Sequence, residues 1–187
     1  MEEKIIIWLQ SNGNVFFDVF FQAISYLASW LGAVCLFLII FLFVNKKFGL
    51  IFCGGYLLTV LFNYGLKELI NKPRPYVTNP EIINKLTTVG KSMPSGHSVS
   101  CIFMVLTIIF LLYTLCANGK FTKFKKKGVK IPIIASLIVF ALLVAISRMY
   151  LGQHYLTDIL AGFAVGTIGF VITYFVYKKI VKKHAKC

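Results

Sequence analysis

Three short polar clusters stand out in an otherwise apolar chain, because their residue types could bind an anion and transfer protons. They are KELINKPRP (residues 67–75), MPSGH (residues 93–97) and SRMYLGQHYLTD (residues 147–158). Each cluster adjoins an apolar stretch, so each is expected at the end of a helix. Their chemistry depends on whether the fold brings the three together.

The first cluster contributes two cations, Lys67 and Arg74. They are seven residues apart, or two helical turns, but Pro73 and Pro75 favour an interrupted helix. We therefore expect Arg74 to project from a rigid turn beyond the helix. Arg74 and Arg148 are the only arginines in the chain, and a guanidinium matches phosphate or carboxylate oxygens with a planar fork of donors. The alternative for this cluster is a basic anchor at a membrane surface.

The second cluster has the composition of a helix start. Pro94 and Gly96 favour a tight turn, and Ser95 is a suitable N-cap for the helix that follows. The free amides and the positive dipole at such a helix end bind anions. His97 then lies at the helix mouth, within reach of a bound anion. The alternative is a capped helix start with a surface histidine.

The third cluster combines a base with an acid. His154 and Asp158 are four residues apart, and we expect their side chains to stack on one helical face. A carboxylate that accepts from one imidazole nitrogen fixes the tautomer and leaves the other nitrogen basic, as in catalytic triads. Arg148 precedes this pair across a turn that contains Gly152. The alternative is a local pair that satisfies only itself.

The composition identifies the elements that must position these clusters as membrane helices. The 187 residues are 58% hydrophobic and only 14% charged, which is too apolar for an ordinary soluble domain. A spanning helix needs about 20 apolar residues, and we predict five spans, at about 24–44, 48–66, 98–116, 131–146 and 155–177. The preceding EEKIIIWLQ is too short to span and predicts an interfacial helix anchored by Trp8. The expected fold is all-α, a polytopic membrane helical bundle, with residues 1–187 forming one domain.

The net charge of +14 could indicate a nucleic-acid partner, but the distribution of the charges argues against one. Thirteen of the twenty basic residues lie in segments 46–47, 120–130 and 178–186, which five spans place on one side of the membrane. The positive-inside rule assigns that side to the cytoplasm, so we expect the N-terminus outside and the C-terminus inside. The three clusters then meet at the outer face. The rule does not explain the remaining basic residues, which are Lys4, Lys67, Lys72, Arg74, Lys85, Lys91 and Arg148.

The expected pocket has three cations, a helix N-terminus and two histidines, but only one acid. Its members are Lys67, Arg74, Ser95, His97, Arg148, His154 and Asp158. This set lacks the carboxylate and histidine count of a metal site, so we expect no metal ion or other cofactor. The five cysteines, Cys35, Cys53, Cys101, Cys116 and Cys187, form no CxxC pair and are expected to act as small apolar side chains.

At these residues the chain closely resembles the membrane-embedded type 2 phosphatidate phosphatase superfamily, whose fold is shared with vanadium haloperoxidases and some bacterial acid phosphatases. The family motifs are a Lys followed after six residues by Arg-Pro, then Pro-Ser-Gly-His, then Ser-Arg with a His six and an Asp ten residues beyond that Arg. All three are complete here, as Lys67, Arg74 and Pro75, as Pro94, Ser95, Gly96 and His97, and as Ser147, Arg148, His154 and Asp158. The resemblance covers about residues 57–167.

The resemblance implies metal-independent hydrolysis of a lipid phosphate through a phosphohistidine. It implies that His154, held by Asp158, attacks phosphorus and that His97 protonates the leaving oxygen. The phosphate oxygens would be bound by Lys67, Arg74, Ser95, the amides near Gly96, and Arg148.

An outward-facing pocket favours undecaprenyl diphosphate as the substrate, with phosphatidylglycerophosphate and phosphatidic acid as alternatives. An anion channel is a remote alternative, because spans rich in phenylalanine and leucine offer no polar track. The composition of the connection 72–93 leaves open whether it acts as a lid, and the oligomeric state is also left open.

Overall fold

The computed structural model describes residues 1–184, and over that range it contains helices and no strands. The helices are α1 (Glu2–Ser11), α2 (Val15–Leu27), α3 (Trp30–Ile39), α4 (Lys46–Ile70), α5 (Pro75–Thr78), α6 (Gly96–Ala117), α7 (Lys127–Tyr150) and α8 (Leu156–His184). A π-helical turn (Ile40–Val44) extends α3, and a 3₁₀ turn (Thr122–Lys125) precedes α7. The predicted all-α fold is confirmed. Lys186 and Cys187, for which the sequence predicts a cytoplasmic position and a filler role, lie outside the described residues.

Four helices within residues 1–184 are long and apolar enough to cross a membrane, namely α4, α6, α7 and α8. Residues Val15–Leu27 and Trp30–Val44 form a bent pair, which supplies a fifth span if the pair crosses together. The five predicted spans therefore coincide with these elements. The helices that carry the last four spans extend beyond most of their predicted ends, which places the polar clusters on the helix ends themselves.

The first predicted span, 24–44, is not a single straight helix, because the helix is interrupted at Ser29. The Ser29 hydroxyl donates to the carbonyl oxygen of Tyr26 at 2.6 Å and accepts from the amide of Leu31 at 3.2 Å. One serine thus satisfies a helix end and a helix start, which allows a bend of 49° inside an apolar segment.

The centre of the bundle is α6, which packs along α8 and also contacts α3, α4 and α7. Glycines on α8 permit a close approach, since a Cβ atom on Gly162 would lie only 2.6 Å from the carbonyl oxygen of Ser95. Small residues at helix contacts are the usual means of helix association in lipid. This packing holds the start of α6 against the start of α8, where Ser95 and Asp158 lie.

An aromatic core joins α4, α6 and α8 at the end of the bundle remote from the polar clusters. Phe48 stacks on Phe52 with ring centroids 4.3 Å apart, and Tyr177 of α8 meets Phe48 edge-on at 5.2 Å. Phe110 of α6 lies 5.7 Å from the Phe48 ring. Such ring pairs each contribute about 0.5–1.5 kcal/mol beyond the burial of their area. They fix the three helices that carry most of the candidate site.

The short helix α1 lies against the end of the bundle that carries the polar clusters. The Glu2 carboxylate accepts from the amide of Thr157 at 2.7 Å, so it caps the start of α8. Gln10 donates to the carbonyl oxygen of Tyr150 at 3.0 Å, at the end of α7. Trp8 remains 63% exposed. The predicted short N-terminal helix is confirmed, and it covers this end of the bundle.

Candidate active site

The structure brings the predicted site residues together at one end of the bundle. Lys67 lies in the last turn of α4, Arg74 precedes α5, Ser95 to His97 open α6, Arg148 lies in the last turn of α7, and Asp158 lies in the first turn of α8. Backbone bonds join these ends, because the amide of Ser95 donates to the carbonyl oxygen of Asp158 at 2.9 Å. The amide of His154 likewise donates to the carbonyl oxygen of Arg148 at 3.2 Å.

Arg148 is a buried cation without an acidic partner. Arg148 is only 1% exposed, and one terminal nitrogen of its guanidinium donates to the Ser25 hydroxyl at 3.0 Å. Its Nε has no hydrogen-bond partner, and no ion pair among the described residues involves Arg148. A buried guanidinium in this state is costly, and a bound anion would supply the missing charge.

Arg74 and Lys67 also bind neutral acceptors rather than carboxylates. Arg74 donates through Nε to the carbonyl oxygen of Gly90 at 3.0 Å and through a terminal nitrogen to Oε1 of Gln153 at 2.7 Å. Lys67 donates to the carbonyl oxygens of residues 91 and 92 at 3.0 and 3.2 Å. These contacts hold the two cations in place without neutralising them, so both remain attractive to an anion.

The pair of His154 and Asp158 differs from the predicted arrangement. The helix α8 begins at Leu156, so His154 lies in the preceding turn and not on the helix. Its Nδ1 atom is 3.8 Å from Oδ2 of Asp158, which is too long for a hydrogen bond, and has no other partner. The prediction that both side chains stack on one helical face is therefore wrong, although the two groups are neighbours.

The Asp158 carboxylate is bound instead by residues that the motifs do not include. Its Oδ1 accepts from Lys72 at 2.7 Å, while Oδ2 accepts from the Ser92 hydroxyl and from the amide of Tyr155 at 2.9 Å. Asp158 lies in the first turn of α8, where a carboxylate accepts from backbone amides that have no partner within the helix. It therefore caps the start of α8 through the amide of Tyr155. Lys72 had one signal in the sequence, its position outside the positive-inside pattern, whereas Ser92 had none.

His154 is neutral at pH 7. Burial is the main reason that the pKa of His154 falls from 6.5 to about 3. The positive charges of Arg148, Arg74 and Lys67 lower the pKa in the same direction, and the neighbouring Asp158 carboxylate opposes them. The three cations therefore lie close enough to act on this imidazole. A neutral imidazole keeps one unprotonated ring nitrogen, as a nucleophile requires.

A cavity of about 520 Å³ lies beside these residues, a size typical of small-molecule sites. Gly96, His97 and Arg148 line the cavity at the site. Side chains of α2, α3, α4 and α6, together with residues 86–88 of the connection that follows α5, line the rest of it. Ser29, where the first span breaks, also lines the cavity. The bend in the first span therefore shapes the space that adjoins His97.

The connection between α5 and α6 is fixed to the bundle by polar contacts that sequence reasoning did not find. Gln153 is fully buried and donates to Oδ1 of Asn84 at 2.7 Å. Lys85 donates to Oδ1 of Asp18 at 2.6 Å, and the Tyr150 hydroxyl donates to the same atom at 2.6 Å. In this structure the connection is a docked cover over the site.

Within residues 1–184, no group of three or more histidine, cysteine, aspartate or glutamate side chains lies close enough to hold a metal ion. The described cysteines are unpaired, and Cys101 and Cys116 are buried. Asp158 is the acid that the motifs place at the site, and its carboxylate is already paired with Lys72. The arrangement is that of a cationic site with a neutral imidazole beside it.

Comparison with known proteins identifies a family. A sequence model of the PAP2 superfamily matches residues 48–182. Phosphatidylglycerophosphatase B of Bacillus subtilis is 38% identical over 114 residues, which are 60% of this chain and 49% of that protein. Dolichyldiphosphatase of Saccharomyces cerevisiae is 29% identical over 122 residues, which are 65% of this chain and 48% of that protein. The chain thus spans about half the length of each of these relatives.

The fold points to the same family. A crystal structure of a transmembrane PAP2-type phosphatidylglycerolphosphate phosphatase from Bacillus subtilis matches with a TM-score of 0.78 and 26% identity, over 96% of this chain and 85% of that one. The matched family region holds all three motifs, from Lys67 to Asp158, and extends the predicted core of 57–167 in both directions. The chain therefore belongs to the PAP2 superfamily, as its motifs predict.

Proposed function

We propose that this protein is an integral membrane lipid phosphatase that cleaves a phosphate or diphosphate monoester of a lipid without a metal ion. The observation that carries the proposal is the meeting of Lys67, Arg74 and Arg148, which lack carboxylate partners among the described residues, with the neutral and buried His154. Membership in the PAP2 superfamily supports it. The proposed phosphatase domain covers residues 1–187, with its core at 57–167.

His154 is the proposed nucleophile. Because Nδ1 faces Asp158 at 3.8 Å, the other ring nitrogen, Nε2, is the atom that attacks phosphorus in line with the leaving oxygen. The bond from phosphorus to the leaving oxygen breaks as the bond to Nε2 forms, and the imidazole becomes positively charged. A small approach of Asp158 then allows Nδ1–H to donate to its carboxylate, which stabilises that charge.

The cations and the start of α6 bind the equatorial phosphate oxygens. Lys67, Arg74 and Arg148 provide charge, while the Ser95 hydroxyl and the amides near Gly96 provide further donors. Phosphoryl transfer depends chiefly on such positioning and electrostatic stabilisation. Lys67 has three N–H donors and Arg74 has five, so both can donate to phosphate oxygens while they keep their carbonyl partners in the docked connection.

His97 is the proposed general acid and then the general base. It faces the cavity, where it protonates the leaving oxygen of the lipid. It next takes a proton from the water that attacks the phosphohistidine, which releases inorganic phosphate and restores His154. The part of the lipid next to the scissile bond enters the cavity of about 520 Å³.

We favour undecaprenyl diphosphate as the substrate and the extracytoplasmic face of the plasma membrane as the place of reaction. The lysine-rich segments 46–47 and 120–130 adjoin the helix ends opposite to the site, and by the positive-inside rule they support an outer site and a cytoplasmic C-terminus. Undecaprenyl diphosphate is released on that face during wall synthesis. The similarity to a dolichyldiphosphatase supports a polyprenyl diphosphate. Phosphatidylglycerophosphate is the alternative, which the similarity to phosphatidylglycerophosphatase B favours, and phosphatidic acid is a further one.

Phosphate release from purified protein in EDTA tests the activity. The substrates are undecaprenyl diphosphate, phosphatidylglycerophosphate and phosphatidic acid, and their kcat/KM values rank the headgroups. We expect His154→Ala to lower the rate at least 10³-fold, whereas His184→Ala, the same change at the far end of α8, keeps the parent rate. The proposal fails if the parent releases no phosphate from any of the three, or if His154→Ala matches the parent.

The side of the membrane is tested separately by cysteine labelling in intact cells. Val89, in the connection over the site, is 86% exposed, and Lys120 lies between α6 and α7. In a background without native cysteines, Val89→Cys should react with an impermeant maleimide, while Lys120→Cys should react only after lysis. The reverse pattern would place the site in the cytoplasm.

A further inference from the structure

Asn63 stands on the wall of the cavity, one helical turn before Lys67 on α4. Tyr56, Val60 and Asn63 line the cavity at helical spacing, and Lys67 continues this face at the site. One turn of helix rises about 5.4 Å. A group beside Asn63 therefore lies about one turn deeper in the bundle than the phosphate that Lys67 would bind.

The carboxamide of Asn63 has an unused hydrogen-bond acceptor. The residue is only 4% exposed, and its Oδ1 atom has no partner. Buried polar atoms nearly always have a hydrogen bond, and an unsatisfied one destabilises the fold. The polar groups farther into the cavity satisfy one another, since the Tyr56 and Ser100 hydroxyls lie 2.8 Å apart. No contact within the described chain explains why an asparagine occupies this buried position.

Asn63 lies next to the residues that would handle the leaving group. A Cβ atom on Gly96 would lie 3.9 Å from Nδ2 of Asn63, and His97 follows Gly96 at the same cavity wall. His154 is not part of this cavity lining. Asn63 therefore faces the side of the scissile bond on which the lipid remains, and not the side of the nucleophile.

We propose that Asn63 determines substrate specificity by hydrogen bonding to the polar group that remains on the lipid beside the scissile bond. The proposal rests on the lipid phosphatase function proposed above. In phosphatidylglycerophosphate that group is a glycerol hydroxyl, which donates to Oδ1. In a lipid diphosphate it is the phosphate that stays on the chain, which accepts from Nδ2 and leaves Oδ1 unpaired. One carboxamide offers both a donor and an acceptor, and a substrate without such a group leaves it unpaired.

The test compares two classes of substrate in the full-length protein. Phenyl phosphate has the same transferred group as the lipids but no hydrogen-bonding group beyond its ester oxygen. We expect Asn63→Leu to lower kcat/KM at least tenfold more for phosphatidylglycerophosphate and undecaprenyl diphosphate than for phenyl phosphate. An equal loss on both substrate classes, or no loss on either, overturns the proposal.

A second variant separates the two kinds of lipid and guards against misfolding. Asn63→Asp keeps the size of the side chain and its acceptor but replaces the donor with a negative charge. If the hydroxyl of phosphatidylglycerophosphate is the partner, this lipid keeps a larger share of its kcat/KM than undecaprenyl diphosphate does, and the reverse order, or equal shares, contradicts that contact. Asn118→Leu, the same change as in the leucine variant but at the exposed far end of α6, should match the parent on every substrate.

The two proposals fail in different ways. If the parent protein cleaves neither the lipids nor phenyl phosphate, the proposed function is wrong and Asn63 has no role in it. If the parent is active and Asn63→Leu loses both substrate classes in equal proportion, the function stands and Asn63 serves only the fold or the phosphate site.

Discussion

Replacing Arg148 with methionine should stabilise the folded protein while it removes most of the hydrolysis. Arg148 is 1% exposed and has one side-chain hydrogen bond, to Ser25 at 3.0 Å. Its Nε is unpaired, and no acid balances its charge among residues 1–184. The unfavourable free energy of burying this cation is offset only when an anion binds beside it.

The magnitude follows from the opposing contributions. Burial of an uncompensated cation costs several kcal/mol, and an apolar replacement of a buried ionic group can stabilise a protein by about 1–4 kcal/mol. The lost hydrogen bond to Ser25 removes about 1 kcal/mol. We therefore expect Arg148→Met to raise the free energy of unfolding by about 1–3 kcal/mol. The loss of one charged donor to the transition state should lower kcat about 10³-fold.

Unfolding in detergent micelles, with and without inorganic phosphate, measures both contributions. A phosphate concentration 100 times its Kd stabilises the parent by about 2.7 kcal/mol, and Arg148→Met should lose most of this effect. Ser25→Ala is the matched control, because it keeps the charge and removes its hydrogen bond. This control should be about 1 kcal/mol less stable than the parent. If Arg148→Met unfolds more easily than the parent in phosphate-free buffer, Arg148 stabilises the fold, and the interpretation of Arg148 as an uncompensated cation that binds an anion is wrong.

Three further changes test other parts of the site. Lys72→Met leaves the buried Asp158 carboxylate without its cation and should lower the free energy of unfolding by about 1–3 kcal/mol, less than a fully buried pair because Lys72 is 28% exposed. The unfolded chain binds a proton at His154 near pH 6.5, whereas the folded chain binds one only near pH 3, so stability falls as the pH drops below 6.5. Between pH 7 and 5 the parent should therefore lose about 2 kcal/mol more than His154→Asn. Gly152→Ala should destabilise the turn before His154 by about 1–3 kcal/mol, because Gly152 has φ +73° and a Cβ atom would collide with the carbonyl oxygen of Ile83.

Chemical unfolding of the purified variants measures all three effects. The Lys72–Asp158 pair contributes nothing if Lys72→Met unfolds with the parent free energy. Equal pH dependence in the parent and His154→Asn would mean that His154 is not buried in its neutral form. For Gly152→Ala the control is Gly128→Ala, where a Cβ atom meets nothing within 4 Å, and equal stability of these two variants would contradict the tight turn.

The fold class and the meeting of the motifs could be predicted because both depend on signals that run along the chain. Apolar length predicts the spans, and the number of spans between the clusters predicts that all three lie at the same end of the bundle. Local chemistry was equally informative at two positions. The prolines predict that Arg74 lies beyond the helix, and α4 indeed ends at Ile70 with Asn71 in the left-handed conformation. The predicted Ser95 cap is confirmed by its bond from the amide of Ser98 at 3.4 Å.

The remaining features depend on packing that no sequence pattern records. The break at Ser29 requires a serine to satisfy two helix ends within an apolar run. Asp158 caps the amide of Tyr155, so α8 begins at Leu156. His154 therefore lies before the helix and not on it. The contact of Lys72 with Asp158 joins residues 86 positions apart, so only the folded chain reveals it.

The central claim is that His154 forms the covalent intermediate, and trapping that intermediate tests it most directly. Purified protein is mixed in EDTA with substrate whose terminal phosphate carries ³²P, and the reaction is stopped in alkali, which preserves phosphohistidine. Peptide mapping should place the label on His154, and His154→Ala should carry none. Label on another residue, or undiminished labelling of His154→Ala, would contradict the account.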